Sequence, residues 1–200
     1  PSAVGLIVLG RPIIALIYER GLFGEGDTAH TSAALGFYAV GLTGYAAIKI
    51  LAPAFYALGD ARTPMIISLL SMLTNFGMNW WLVGVMQERG LALSTSTVAL
   101  ANFGLLYLIM RKRINGIDGG RTATAVAKVL LASGVMGAAC WAISMALARA
   151  FGESFGARLA NVLVSVAAGA GLFYVIAALL RVEELKAATD ALAGRLKRRR

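Results

Sequence analysis

The sequence predicts an all-α, polytopic membrane helix bundle of six transmembrane helices with a cytoplasmic C-terminus, and three observations carry that prediction. Hydrophobic residues make up 58% of the chain and charged residues 14%, at a mean hydropathy of +0.74; a soluble domain carries about 25% charged residues. Apolar runs long enough to cross about 30 Å of hydrocarbon fall at roughly 1–18, 33–58, 63–86, 91–110, 123–150 and 157–181. The basic residues are heaped on alternate connections, as the positive-inside rule requires.

The first span holds Arg11 beside Pro12 and gives way to Gly21 and Gly24-Glu-Gly-Asp27. The second carries Lys49 and Pro53 and ends at Gly59-Asp60. Thr63 as N-cap with Pro64 at the first helical position reads as the start of the third. Gly90 separates the third from the fourth, Asn115-Gly-Ile-Asp-Gly-Gly120 the fourth from the fifth, and Gly152 and Gly156 bracket the last turn. The connections after the second and fourth spans, with the tail, hold Arg62, Arg111, Lys112, Arg113, Arg121, Arg181, Lys186, Arg195, Lys197, Arg198, Arg199 and Arg200. The opposite connections hold only Arg20, Arg89, Arg149 and Arg158, while the acidic residues divide evenly. The tail and the start of the first span are therefore assigned to the cytoplasm. Residues 182–200 read as a basic amphipathic helix ending in Arg195-Leu-Lys-Arg-Arg-Arg200, an anchor on anionic lipid rather than a nucleic-acid arm.

Pro1 opens straight into an apolar run, with no initiator methionine and no signal-peptide n-region. The expectation is the C-terminal part of a longer protein. It divides into residues 1–113, four spans with deep polar groups; 114–181, two spans rich in small residues (Ser133, Gly134, Gly137, Ala138, Ser165, Gly169, Gly171); and the tail 182–200.

Cations within spans are expensive and mark function. Lys128 lies near a span end and can snorkel. Arg11 and Lys49 sit about ten residues from their span ends, roughly 15 Å deep at 1.5 Å per residue. Tyr38, Tyr45, Lys49 and Tyr56 are spaced so that, at 100° per residue, they share one stripe of the second span. That is the pattern of a cavity wall or a polar helix interface. Pro53 removes the N–H that would bond the carbonyl of residue 49, and Pro12 repeats the arrangement beside Arg11. A carbonyl freed in mid-membrane needs protein or cavity water around it.

The third span has a stripe of Ser68, Ser71, Asn75 and Asn79, and the fourth offers Thr95 and Asn102. Antiparallel neighbours place Asn75 near the depth of Asn102, and Asn79 near Thr95. Two readings stand: hydrogen bonds gluing two helices, or an oxygen-lined pocket for a small hard cation. Cys140 and His30 are the only residues of their types, which excludes an intramolecular disulfide and a Cys- or His-based metal cluster. No paired carboxylates in a span, HExxH, phosphate-binding glycine loop or Ser/His/Asp set is present, so the residues at hand do not make an enzyme.

Several segments together resemble one family: Pro12-Ile-Ile-Ala-Leu-Ile-Tyr-Glu-Arg-Gly-Leu-Phe23, Lys49-Ile-Leu-Ala-Pro-Ala-Phe-Tyr-Ala57, Asp60-Ala-Arg-Thr-Pro64, and Gly90-Leu-Ala-Leu-Ser-Thr-Ser96 with Asn102. They are similar to the MurJ (MviN) lipid II flippases of the multidrug/oligosaccharidyl-lipid/polysaccharide exporter superfamily. The resemblance implies the last six of fourteen helices in a bacterial inner-membrane transporter that moves the undecaprenyl-pyrophosphate-linked peptidoglycan precursor by alternating access. The first four spans would close the second lobe around a cationic cavity, facing an N-terminal lobe upstream of Pro1. The last two would form a groove for the polyprenyl tail.

On this resemblance Lys49, Arg11, Tyr45, Tyr38, Tyr56 and Asn102 would line the cavity, and Pro53, Pro12, Asp60 and Pro64 would serve as hinges. Asn75, Asn79 and Thr95 match the positions of a sodium site described in some members, where the second position is acidic. Coupling to Na+ or to the membrane potential, with no other cofactor, is the expectation. Other readings are an exporter of another polyprenyl-linked oligosaccharide or of a drug, or a non-transporting membrane scaffold. A drug exporter should place acidic groups in its spans, and these spans hold none.

Overall fold

The computed structural model of the chain describes residues 1–114, 119–152 and 154–180. The basic tail, and Arg181 with it, lies outside them. The described residues form six helices: α1 (Ser2–Tyr18), α2 (Glu25–Ala57), α3 (Arg62–Met86), α4 (Glu88–Arg113), α5 (Gly119–Phe151) and α6 (Phe155–Leu179). Five of them, all but α1, are long and apolar enough to cross a membrane. α1 is apolar too, but its 17 residues rise only about 25 Å.

Helix ends depart from the apolar runs where polar residues extend a helix past the hydrocarbon. α2 starts eight residues before its apolar run, with Glu25 and Asp27 in a first turn that favours acids. The Asp27 carboxylate accepts the N–H of Gly24 at 3.1 Å, closing that end. α3 starts at Arg62 rather than at Pro64, and its true cap is different. Asp60 accepts the Thr63 N–H at 3.1 Å and the Thr63 hydroxyl at 2.6 Å. Thr63 is thus the capped residue, not the capping one.

The α2–α3 corner is a Schellman turn. Gly59, at φ +75°, gives its N–H to Tyr56 O, and Asp60 gives its own to Phe55 O, each at 3.0 Å. The α3–α4 corner is tighter. One residue, Gln87, separates the two helices, and it adopts φ 53°, ψ −132°, a conformation that favours glycine.

The chain forms two compact units. One consists of Gly10–Ile117 and therefore of the latter part of α1 with α2, α3 and α4. The other takes Ala3–Leu9 with α5 and α6. Reading residues 1–113 as a block keeps the first span whole; the contacts assign its first turns to the company of the last two helices.

In the first unit α4 is the central helix and packs on both α2 and α3. The pairs His30–Glu88, Gly41–Ser96 and Gly44–Ala99 keep a nearly constant offset, so α2 and α4 run parallel. The pairs Gly90–Leu82 and Ser94–Asn79 run in opposite order, so α3 is antiparallel to α4. At one end Phe55, Ile67, Leu106 and Met110 close a core, with Ile48, Leu51 and Ile109 around it. The other faces stay bare: Met72, Phe76, Trp80 and Trp81 of α3 are each at least 70% exposed, as lipid-facing residues are.

In the second unit the small-residue expectation holds in part. Ser133, Gly137, Ser165 and Gly169 are buried, whereas Gly134, Ala138 and Gly171 are exposed. A Cβ on Gly137 would meet Val4 Cγ1 at 2.6 Å, and one on Gly169 would strike Cys140 Sγ. The α5–α6 seam also carries polar bonds that composition does not suggest. Asn161 Nδ2 donates to Ser144 O at 3.0 Å, Ser165 Oγ to Asn161 Oδ1 at 3.2 Å, and Cys140 Sγ to Ser165 O at 3.4 Å.

Candidate functional site

α2 presents two different long faces. One, with Ala39, Gly41, Gly44 and Phe55, is buried. The other carries Tyr38, Tyr45, Lys49 and Tyr56, all exposed, the tyrosines at 45%, 47% and 57%. Lys49 makes no hydrogen bond or ion pair with any described residue, and no acid follows Asp27 within α2. It lies eight residues from the end of the helix, about 12 Å along the axis. Its burial is thus not within this chain: the four side chains share one face, and that face is open. Arg11 on α1 is exposed as well.

The first half of the same α2 face is covered. Thr31, Ala34, Leu35 and Tyr38 meet Ile14 and Tyr18 of α1 and Phe23 of the connection around a cleft of about 290 Å³. α1 approaches closely here because Gly10 faces Ser32 and Leu35, where a Cβ would find contacts of 3.5–4.0 Å. The Thr28 hydroxyl donates to Glu19 Oε2 at 3.0 Å and is 1% exposed. Pro12 and Pro53 both sit inside continuous helices.

Between α3 and α4 the amides behave differently from the open face. Asn75 Nδ2 donates to Ser94 Oγ at 3.4 Å, Ser94 Oγ to Asn79 Oδ1, and Asn79 Nδ2 to Asn75 Oδ1 at 3.0 Å. The three side chains form a closed ring in which every member both donates and accepts. Thr95 is not in it; its hydroxyl donates to Leu91 O of its own helix at 2.8 Å. The partner across from Asn79 is Ser94, one residue and 100° round the helix from Thr95, a residue the sequence reading passed over. Its signal was the spacing Gly90, Ser94, Val98, the four-residue repeat of a buried strip.

Asn102 is 8% exposed and its Oδ1 has no hydrogen-bond partner among the described residues. It does not join Asn75. Among the described residues no group of three or more His, Cys, Asp and Glu side chains is placed to hold a metal ion. The ring has no carboxylate and its amide oxygens are already engaged, so it does not fit a bound sodium ion as arranged.

At the α2–α3 corner Asp60 is 11% exposed and pairs with Arg113 Nη2 at 2.7 Å. The Thr63 hydroxyl and N–H beside it, with Arg113 adding positive charge, hold its carboxyl below the ordinary carboxylate range. Arg111, Lys112 and Arg113 occupy the last turn of α4, where cations complement the helix dipole. Asp60 and Pro64, expected as a hinge, therefore belong to a corner bonded to both neighbouring helices; Pro64 itself is buried. At the far end His30 Nδ1 lies 3.0 Å from Glu88 Oε1.

A family model described as lipid II flippase MurJ matches residues 1–163. A Vibrio cholerae protein described as a probable lipid II flippase MurJ is 32% identical over 197 residues, which cover 95% of this chain and 37% of that protein. A Rickettsia prowazekii protein of the same description is 42% identical over 113 residues, 56% of this chain and 22% of its own length. The chain thus spans well under half the length of these curated relatives. A solved structure of a lipid II flippase MurJ in an inward closed conformation matches in fold, with a TM-score of 0.67 at 24% identity, over 90% of this chain and 36% of that one. By the family match and the fold together, the chain belongs to the MurJ family of lipid II flippases.

Proposed function

We propose that this chain forms part of a transporter that carries a lipid-linked peptidoglycan precursor across the bacterial inner membrane, and that the open face of α2 lines its substrate path. The observation that carries this is Lys49: an unpaired ammonium, flanked by tyrosines, on a spanning helix with no acid near it. A cation so placed is costly in lipid and fits a face that meets an anion. A pyrophosphate is such an anion, and charge attraction is strongest where water is scarce. Arg11 would add to the same potential. Alternating access by rocking of lobes requires a facing lobe, which the length of the relatives supports. The exposed apolar residues of α5 and α6, among them Leu130, Leu163 and Val166, suit contact with lipid tails.

For energy coupling, the amide ring favours the membrane potential over sodium. It is neutral and self-satisfied, whereas a charge such as Lys49 feels about 2.3 kcal/mol per 100 mV if it crosses the full field.

The test is complementation during depletion of the native flippase. Lys49→Arg should sustain growth and lipid flipping, and Lys49→Gln should not, in the full-length protein. Normal flipping by Lys49→Gln would overturn the assignment.

A further inference from the structure

We propose that Tyr45 is a saccharide-stacking residue, with Tyr38 continuing the same platform, so that this face recognises the sugar of the transported lipid as well as its pyrophosphate. The inference rests on the reading of Lys49 above and adds a substrate determinant to it.

The geometry is one of spacing along a single helix face. Tyr45 lies one turn from Lys49, about 6 Å along the axis, and Tyr38 a further two turns, about 10 Å. One turn is the step from a phosphate to the ring of the sugar it esterifies. Both tyrosines are about half exposed, and neither phenol has a hydrogen-bond partner among the described residues.

Two physical facts narrow the occupant. A phenol on a spanning helix needs a polar partner, because an unsatisfied hydroxyl in an apolar medium costs free energy. Its ring meanwhile offers a flat apolar face. A pyranose matches both: its C–H face lies on the ring, and its hydroxyls bond the phenol. A pyrophosphate alone would call for cations, and Lys49 is the only one on this stripe. An acyl chain would leave the phenols unsatisfied. Tyr38 fits the far end of the platform because its other side closes the cleft with Tyr18 and Phe23, which fixes its position.

The experiment compares two ligands that differ only in the head group: lipid II, and undecaprenyl pyrophosphate, which has the tail and the pyrophosphate without the sugars. Binding of each to the full-length protein in nanodiscs is measured for three variants. Tyr45→Ala should weaken lipid II binding about tenfold and leave undecaprenyl pyrophosphate unchanged. Tyr45→Phe should retain most of the lipid II affinity, since stacking survives. Lys49→Gln should weaken both ligands alike. Because Tyr45 is exposed, Tyr45→Ala should unfold at the unchanged temperature without ligand. Equal loss for both ligands in Tyr45→Ala, or no loss for either, overturns the saccharide assignment. Unchanged binding of both in Lys49→Gln instead overturns the anion reading beneath it.

Discussion

Toward α2 and toward α3, α4 presents strips of small residues, yet the two contacts are built from different physics. Against α2, the glycines Gly41 and Gly44 let the backbones meet. A Cβ on Gly44 would lie 2.9 Å from both the carbonyl carbon and oxygen of Ala99, and one on Gly41 would lie 2.7 Å from Ser96 Cα. A single side-chain bond, Ser96 Oγ to Phe37 O at 2.6 Å, adds to this seam. Against α3, the contact is a ring of side chains, Asn75, Ser94 and Asn79, with Gly90 tucked against Leu82. In lipid there is little hydrophobic drive between helices, so close packing and hydrogen bonds must hold them. α4 uses the first toward α2 and the second toward α3. The lesson is that one seam is intolerant of volume and the other of lost polarity.

Substitutions break this contrast in order of size. Gly44→Leu should be the most damaging, because the clash is with backbone that only a shift of the whole helix relieves. Overpacking of about 1–3 kcal/mol or more is expected, read as loss of monodisperse protein and a lower unfolding temperature in detergent. Asn79→Leu preserves volume but opens the ring, at about 0.6–2 kcal/mol. Adding Ser94→Ala to Asn79→Leu should cost less than the sum of the two single changes, since the same bonds are already gone. Additive losses in that cycle would sink the ring. Ser96→Ala should cost least of the three, about 0.6 kcal/mol, and a larger effect would mean that the α2 seam depends on polarity after all.

The smallest effect at neutral pH concerns the corner that ties α2 to α4. The Asp60 carboxyl is held below its ordinary value of 3.8, chiefly by Thr63. A lowered folded value means the stabilisation is fully present above the ordinary value and is lost as pH falls through the folded one. The unfolding temperature should thus be level between about pH 8 and pH 5 and fall below about pH 4. Asp60→Asn should flatten that acid limb, and an unchanged limb would remove Asp60 as its source.

Much of this was legible in the residues. Six apolar runs gave six helices, and the tyrosine–lysine stripe emerged on one face because 100° per residue is a property of any helix. Helix ends were less legible, since hydropathy marks the hydrocarbon and not the caps; Asp27 and Asp60 extend or cap helices past it. The choice of Ser94 over Thr95 was invisible because a pairing rests on the rotation of two helices, which neither sequence alone specifies. The spacing Gly41-x-x-Gly44 was a signal for the α2 seam that went unused. What Lys49 faces was not legible at all, because no described residue supplies its partner.

The one-residue link at Gln87 has a consequence for biogenesis. A connection with no slack makes α3 and α4 a single helical hairpin, so the two enter the bilayer as a pair rather than in turn. Asn75 and Asn79 then find Ser94 while the hairpin forms, and no separate α3 has to carry two bare amides through hydrocarbon. Lengthening that link should show first as slower or misoriented insertion, before any effect on the finished fold.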